Sequence, residues 1–360
     1  MRSKQSLAFC QVVLSSWVVT GVACSDEGGS QDEVGDTGSD DEASTSGDGD
    51  ASESGSDSSS TDPGDTSEAE SSTDPGDTSE AEATTDPGDT TESTTETGGD
   101  PQGADYGQPG PYAVDVSEGS MQVNQQCNLA YAVYEPDTLL SDTAVLLAHG
   151  FMRSIDDMAA TAEHIASWGV KVYAVPLCTN SFQIDHQLNG EAIALLGQAL
   201  EPAGPVYAGF SAGGLAAWVA AANDPATVGY VGLDAVDNGG LAGMFAADLA
   251  APIHGVVAEP GQCNTNNNFL PVYDGKPSAP VIRVVDAQHF DFETDACELA
   301  DFGCSFCAPN GPATRATALG LVTSAILIET AADLGGETWW APGGSYFDML
   351  AQQGKIQLIQ

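Results

Sequence analysis

The residue set most able to do chemistry is centred on Ser211, in the stretch GPVYAGFSAGGLAAW, residues 204–218. A short apolar run ends at Gly209-Phe210, and small helix-forming residues follow at once. A serine flanked by Gly209 and Gly213 at a strand-to-helix turn can present its hydroxyl as a nucleophile. The first helical N–H, that of Ala212, is left unpaired and aimed where an oxyanion would form. The same five residues also serve as a tight turn with no chemistry. A serine hydroxyl needs a base, so the histidines and carboxylates near strand ends matter. His254 and His289 follow Ser211 in the chain. His254 opens an apolar strand and is read as structural. His289 follows the run VIRVV. Asp234 and Asp237 close the segment YVGLDAVD, and Glu259 closes VVAE.

The elements that must position these groups alternate. Loosely alternating residues from Gln122 to Glu135 predict antiparallel strands. Thr143–Ala148, Val170–Val175, Pro205–Ala208, Gly229–Leu233, Ile253–Ala258 and Val281–Val285 are apolar runs expected as buried strands. Between and after them, Ile155–Trp168, Gln187–Leu200, Ser211–Ala222 and Thr314–Leu334 suit helices. Such alternation indicates an α/β fold with a mainly parallel sheet covered on both faces. Ligand chemistry then belongs at the carboxyl ends of the strands.

With strand, elbow and helix in this order, the chain from about Gly110 to Gln360 resembles the α/β-hydrolase family. That resemblance implies the order nucleophile, acid, histidine along the chain, and it implies His289 as the base. It places the second oxyanion donor after the strand ending in LLAHGF, at the backbone N–H of Phe151, alongside that of Ala212. His149 then orders this loop and is not the base. The segment GLDAVD resembles chlorophyllases and pancreatic-type lipases, in which the acid is the first Asp, here Asp234. Glu259 and Asp237 are the alternative acids, Asp237 also being suited to a turn or helix cap beside Asn238-Gly239-Gly240. GPYAV, HGF and the short histidine loop are similar to extracellular polyester-hydrolase-like members. The interval between Asp234 and Ile253 holds only a short helix, LAGMFAADLA, so little or no cap domain is expected. Phe151 and Met152 are expected to line the acyl groove. Trp339-Trp340 is a further candidate lining, with packing the plainer role. No cofactor and no metal is called for.

Charge is distributed unevenly. Of 53 acidic residues, 26 lie between Ser25 and Asp105, where there is no Lys or Arg. After residue 105 the chain carries 27 acids against six bases. Nucleic acid is excluded as a partner, because that affinity needs cations on phosphates. Residues 24–105 are nearly all Asp, Glu, Ser, Thr and Gly, with STDPGDTSEAE occurring twice at a 12-residue period. Such a segment cannot bury enough apolar surface to offset its ordering entropy. It is expected to be a disordered spacer of roughly 50 Å root-mean-square span. Residues 1–23 read as an export signal: Arg2 and Lys4, an apolar run, then Gly21-Val22-Ala23-Cys24. This resembles a bacterial lipobox with Gly21 where Leu is usual. It implies lipidation at Cys24 and an envelope lipoprotein touching a membrane only through that anchor. Secretion after ordinary cleavage is the alternative. Residues 106–360 suffice for one catalytic-size domain.

Beyond Cys10 and Cys24, six cysteines remain: Cys127, Cys178, Cys263, Cys297, Cys304 and Cys307. An even number in an exported domain predicts disulfides, with fifteen possible pairings. The alternative for Cys304-x-x-Cys307 is zinc or redox chemistry. The functional expectation is a serine hydrolase cleaving small or polymeric carboxylic esters. The competing expectations are a peptidase or acyltransferase on the same fold, or a catalytically silent surface binding module.

Overall fold

The computed structural model describes residues 103–294 and 303–360. The export signal, Cys24, the acidic spacer and Cys297 lie outside the described residues. Nine strands form one sheet: β1 Val114–Gln122, β2 Asn128–Pro136, β3 Val145–Ala148, β4 Val172–Val175, β5 Val206–Phe210, β6 Gly229–Leu233, β7 Ile253–Val257, β8 Val281–Val284 and β9 Ile356–Leu358. Their order across the sheet is β1-β2-β4-β3-β5-β6-β7-β8-β9. The strands β3 to β8 run parallel, while β1, β2 and β9 are antiparallel to their neighbours. The α/β class expected from alternation is therefore observed.

The apolar runs follow from burial on both faces. Val145 and Leu147 of β3 pack into one core with Val206 and Ala208 of β5. Leu146 and Ala148, pointing the other way, pack into a second core with Tyr207. Helices α1 Ala159–Ala166 and α7 Pro312–Glu329 cover the first face. Helices α2 His186–Leu200 and α3 Ala212–Asn223 cover the second. Shorter helices are α4 Leu241–Phe245, α5 Leu270–Asp274, α6 Cys304–Cys307 and α8 Ser345–Gln352. Among the described residues no helix is long and apolar enough to cross a membrane.

Three expectations need adjustment. The first strand begins at Val114, eight residues before the predicted segment, and pairs in register from Val114–Pro136 to Gln122–Asn128. The predicted helix from Ile155 is a 3-10 turn, Asp156–Met158, leading into α1. The C-terminal helix stops at Glu329 rather than Leu334. Ala331 adopts the left-handed conformation at φ 54°. The Asp333 carboxylate then caps a new 3-10 turn through Gly335 N–H at 2.8 Å.

Two disulfides are placed, Cys127–Cys178 and Cys263–Cys307. Cys304 is disulfide-bonded as well. Because Cys307 pairs with Cys263, the Cys304-x-x-Cys307 spacing is not an internal redox pair.

Candidate active site

Strand β5 is buried throughout and delivers Ser211 at φ 56°, ψ −122°, immediately before α3. A positive φ is unfavourable for a serine and persists only where neighbours over-determine it. Here the Ser211 N–H donates to the Leu233 carbonyl at 3.1 Å. Its own carbonyl accepts from Val236 at 3.1 Å and Gly214 at 2.9 Å. Both flanking glycines are sterically required. A Cβ on Gly209 would strike the Gly213 carbonyl, and one on Gly213 would strike the carbonyls of His149 and Ala148.

Asp234 follows β6 directly, at φ 43°, and is fully buried. Its Oδ2 lies 2.6 Å from His289 Nδ1. Its Oδ1 accepts the Ala258 N–H at 3.0 Å. His289 opens a 3-10 turn, His289–Phe292, five residues after β8 ends. That turn is locked by Asp291, whose carboxylate accepts N–H groups from Gln288 at 2.7 Å, Asn310 at 2.9 Å and Gly311 at 3.2 Å. Burial pushes the Asp291 carboxyl above its ordinary range, against these donors. With Nδ1 committed to Asp234, Nε2 is the ring nitrogen left to meet a partner.

Ser211 and His289 line one cavity of about 670 Å³, with Phe151, Met152, Phe182, Phe210 and Phe290 as its apolar wall. Among the described residues no hydrogen bond joins the Ser211 hydroxyl to the imidazole. Such bonds are often long before substrate binds. The two residues are nonetheless neighbours, since the His289 ring packs against that of Phe210.

The loop after β3 brings Phe151 to the same cavity. No acceptor within the described residues takes the backbone N–H of Phe151 or Ala212. The next N–H, of Met152, is held by Asn180 Oδ1 at 2.6 Å, and Asn180 Nδ2 donates to the Arg153 carbonyl at 2.6 Å. His149 is buried, its Nε2 accepting the Leu177 N–H at 3.2 Å and its Nδ1 facing the Gly150 carbonyl at 2.8 Å. Burial lowers its proton affinity, so it orders the loop as a neutral ring.

The remaining candidates lie elsewhere. Asp237 Oδ1 accepts N–H groups of Asn238 and Ala242 at 2.9 Å, which ties the turn that leads into α4, whose N-cap is Gly240. Glu259 Oε1 accepts the Asp286 N–H at 3.3 Å and its Oε2 lies 3.8 Å from Arg283 Nε. Neither reaches His289. His254 faces Glu329 and the edge of Trp340 at the opposite end of the sheet. Trp339 and Trp340 are buried packing residues and do not line this cavity.

Sequence reasoning missed Asn180, Asn264 and the Arg153–Glu293 pair. The clue for Asn264 is the unusual run Asn-Thr-Asn-Asn-Asn from residue 264, since Asn is the non-glycine residue most tolerant of left-handed turns. No protein-family model matches the chain, and no curated protein matches it either.

Proposed function

We propose that residues 106–360 form an α/β-hydrolase-fold serine hydrolase that cleaves carboxylic esters. The observation that carries this reading is the 2.6 Å contact between Asp234 and His289 beside a serine held at positive φ. In this reading the His289 Nε2 takes the Ser211 proton as Oγ attacks the acyl carbon. Asp234 keeps the proton of the neutral ring on Nδ1 and stabilises the imidazolium that forms. The amides of Phe151 and Ala212 receive the developing oxyanion, where one donor is worth about 2.7–4 kcal/mol. His289 then protonates the leaving alcohol, and water repeats the sequence on the acyl-enzyme.

The cavity supports an uncharged, apolar acyl group. Its wall is largely phenyl rings and Met152, and the net charge of −45 disfavours anionic esters. Phe182, in that wall, is 87% exposed, so among the described residues the mouth stands open to solvent. An open mouth favours bulky or polymeric esters over small soluble ones. The lipobox-like Cys24 and the acidic spacer complete the proposal: an enzyme held to the cell envelope by a lipid.

The test is covalent labelling by a fluorophosphonate together with p-nitrophenyl butyrate hydrolysis. Labelling at Ser211, and a loss of about 10⁴-fold or more in Ser211→Ala, are expected. Unlabelled protein without turnover would instead support the binding-module reading. Preferential turnover of amides or of acceptor alcohols would redirect it to a peptidase or acyltransferase.

A further inference from the structure

Thr265, Asn266 and Asn267 have φ values of 50°, 56° and 57°, three consecutive non-glycine residues in the left-handed region. L-residues visit that region singly because Cβ crowds the following carbonyl. A run of three therefore needs strong local support. Asn264, 1% exposed, supplies it: its Oδ1 accepts the N–H groups of Gly261 at 2.8 Å and Asn267 at 3.2 Å. Arg283 Nη2 donates to Asn267 Oδ1 at 3.2 Å, and the adjacent Cys263 is bonded to Cys307.

What the turn delivers is a set of amide donors. Asn264 Nδ2 lies 3.1 Å from Asp234 Oδ2 and also donates to the Glu259 carbonyl at 2.8 Å. Asn267 Nδ2 lies 3.4 Å from Asp234 Oδ1. Asn268 grips Asp237 at both its N–H, 3.0 Å, and its carbonyl, 2.7 Å. One left-handed turn thus holds the segment from Asp234 to Asp237 by three side-chain amides. A buried carboxylate keeps its charge only where donors surround it. Besides the imidazole, the donors to Asp234 are the Ala258 N–H and these two amides.

We infer that Asn264 and Asn267 are positioning residues for Asp234: they fix the plane of its carboxylate and share its charge, so that His289 keeps Nε2 toward Ser211. This rests on the serine-hydrolase reading above. It has a consequence that a purely structural role lacks. Removing an amide donor leaves more of the carboxylate charge on the imidazole, which holds its proton longer. The acid limb of the kcat/KM profile should then move to higher pH.

Two variants separate this from a folding defect. Asn267→Gly keeps the left-handed backbone at no steric cost and removes the amide that donates to Asp234, together with its contact to Arg283. Asn264→Leu keeps the side-chain volume and offers Asp234 no donor; it also gives up the acceptor for Gly261 and Asn267, so it is read only after circular dichroism shows it folded. In both, kcat is expected to fall about 10- to 100-fold with KM nearly unchanged, and the acid limb to rise. The far-downfield proton resonance of the His289–Asp234 hydrogen bond, recorded by NMR without substrate, is expected to move or broaden. Folded variants with the parent kcat, pH profile and resonance would overturn the inference. If the parent protein neither turns over esters nor reacts with a fluorophosphonate, the resonance decides alone. A displaced signal then keeps the positioning role while the hydrolase reading fails.

Discussion

The imidazole of His289 rests against the phenyl ring of Phe210, centroids 4.6 Å apart, and Phe210 is the residue before Ser211. One ring is thus braced from the side by the strand that carries the serine and end-on by Asp234. The brace makes orientation testable separately from position. Asp234→Asn should leave the packing intact but favour the wrong tautomer, cutting kcat by about 10⁴-fold. Asp237→Asn and Glu259→Gln should stay within a few-fold of the parent, since neither carboxylate meets the ring. Steady-state kinetics on the three variants decides among the acids. A larger loss in Glu259→Gln than in Asp234→Asn would reverse the assignment.

Glycine replacements separate backbone crowding from chain entropy. Gly213→Ala forces a methyl group onto the carbonyls of His149 and Ala148, two backbone atoms with nowhere to move. It should lose hydrolysis or fail to fold. Gly243, inside α4, has nothing within 4 Å of a would-be Cβ. Gly243→Ala should stabilise by about 0.5–1 kcal/mol, the helix-propensity difference. Thermal melts and expression yields of the pair test both statements. A destabilised Gly243→Ala would contradict the free space described beside α4.

These two glycines also mark how much the sequence disclosed. Strands β3 to β8 are legible because both faces are buried, which leaves continuous apolar runs. The elbow is legible because a hydroxyl between glycines sits where such a run stops. β1 carries no such run: six of its nine residues are exposed in a half-solvated antiparallel edge strand, and nothing in that pattern stands out. α8 and β9 leave as little trace in the sequence because they are short, although Tyr346, Phe347, Leu350 and Ile356 join the core. The asparagines behind Asp234 were invisible for another. Asn264 lies 30 residues from the carboxylate it touches, and local pattern says nothing about such convergence. Asp234 itself was reached by resemblance, and the structure places its carboxylate, not that of Asp237 or Glu259, on His289.

Acid should weaken the fold through its buried histidines. Burial lowers the proton affinity of His149 and of His164, whose Nε2 lies 2.8 Å from the Tyr106 carbonyl. The folded state therefore holds both rings neutral, while the unfolded chain protonates them near pH 6.5. Their contribution is complete above that pH and is lost below it, at up to about 1.4 kcal/mol per pH unit for each ring. Asp291 works the other way. Its raised value lets the folded state take up a proton first, so it adds stability as pH falls toward the ordinary carboxyl range. The histidine window comes first on acidification. The melting temperature should fall between pH 7.5 and 5.5, and less steeply in His164→Gln. An equal slope in that variant would show that His164 is not held neutral by the fold.

Arg153 ties the loop carrying Phe151 to the turn carrying His289. Its Nε lies 2.9 Å and 3.0 Å from the two oxygens of Glu293, while Nη2 reaches Asp157 at 2.9 Å. The guanidinium also stands 5.1 Å from the centroid of the Phe290 ring. The Glu293 side chain is only 1% exposed, so its charge is compensated from within the protein. Taking away one partner of a buried pair costs about 3–5 kcal/mol, because the remaining charge stays desolvated. Arg153→Met should therefore destabilise by about that amount. Arg153→Lys should recover little, since an ammonium cannot reproduce the two-pronged contact. Adding Glu293→Leu to Arg153→Met should restore part of the loss by removing the buried carboxylate that has lost its guanidinium. Urea unfolding of the single and double variants gives the coupling directly. Strict additivity would mean that the pair contributes nothing jointly, and that Phe151 and His289 are held in place by other contacts.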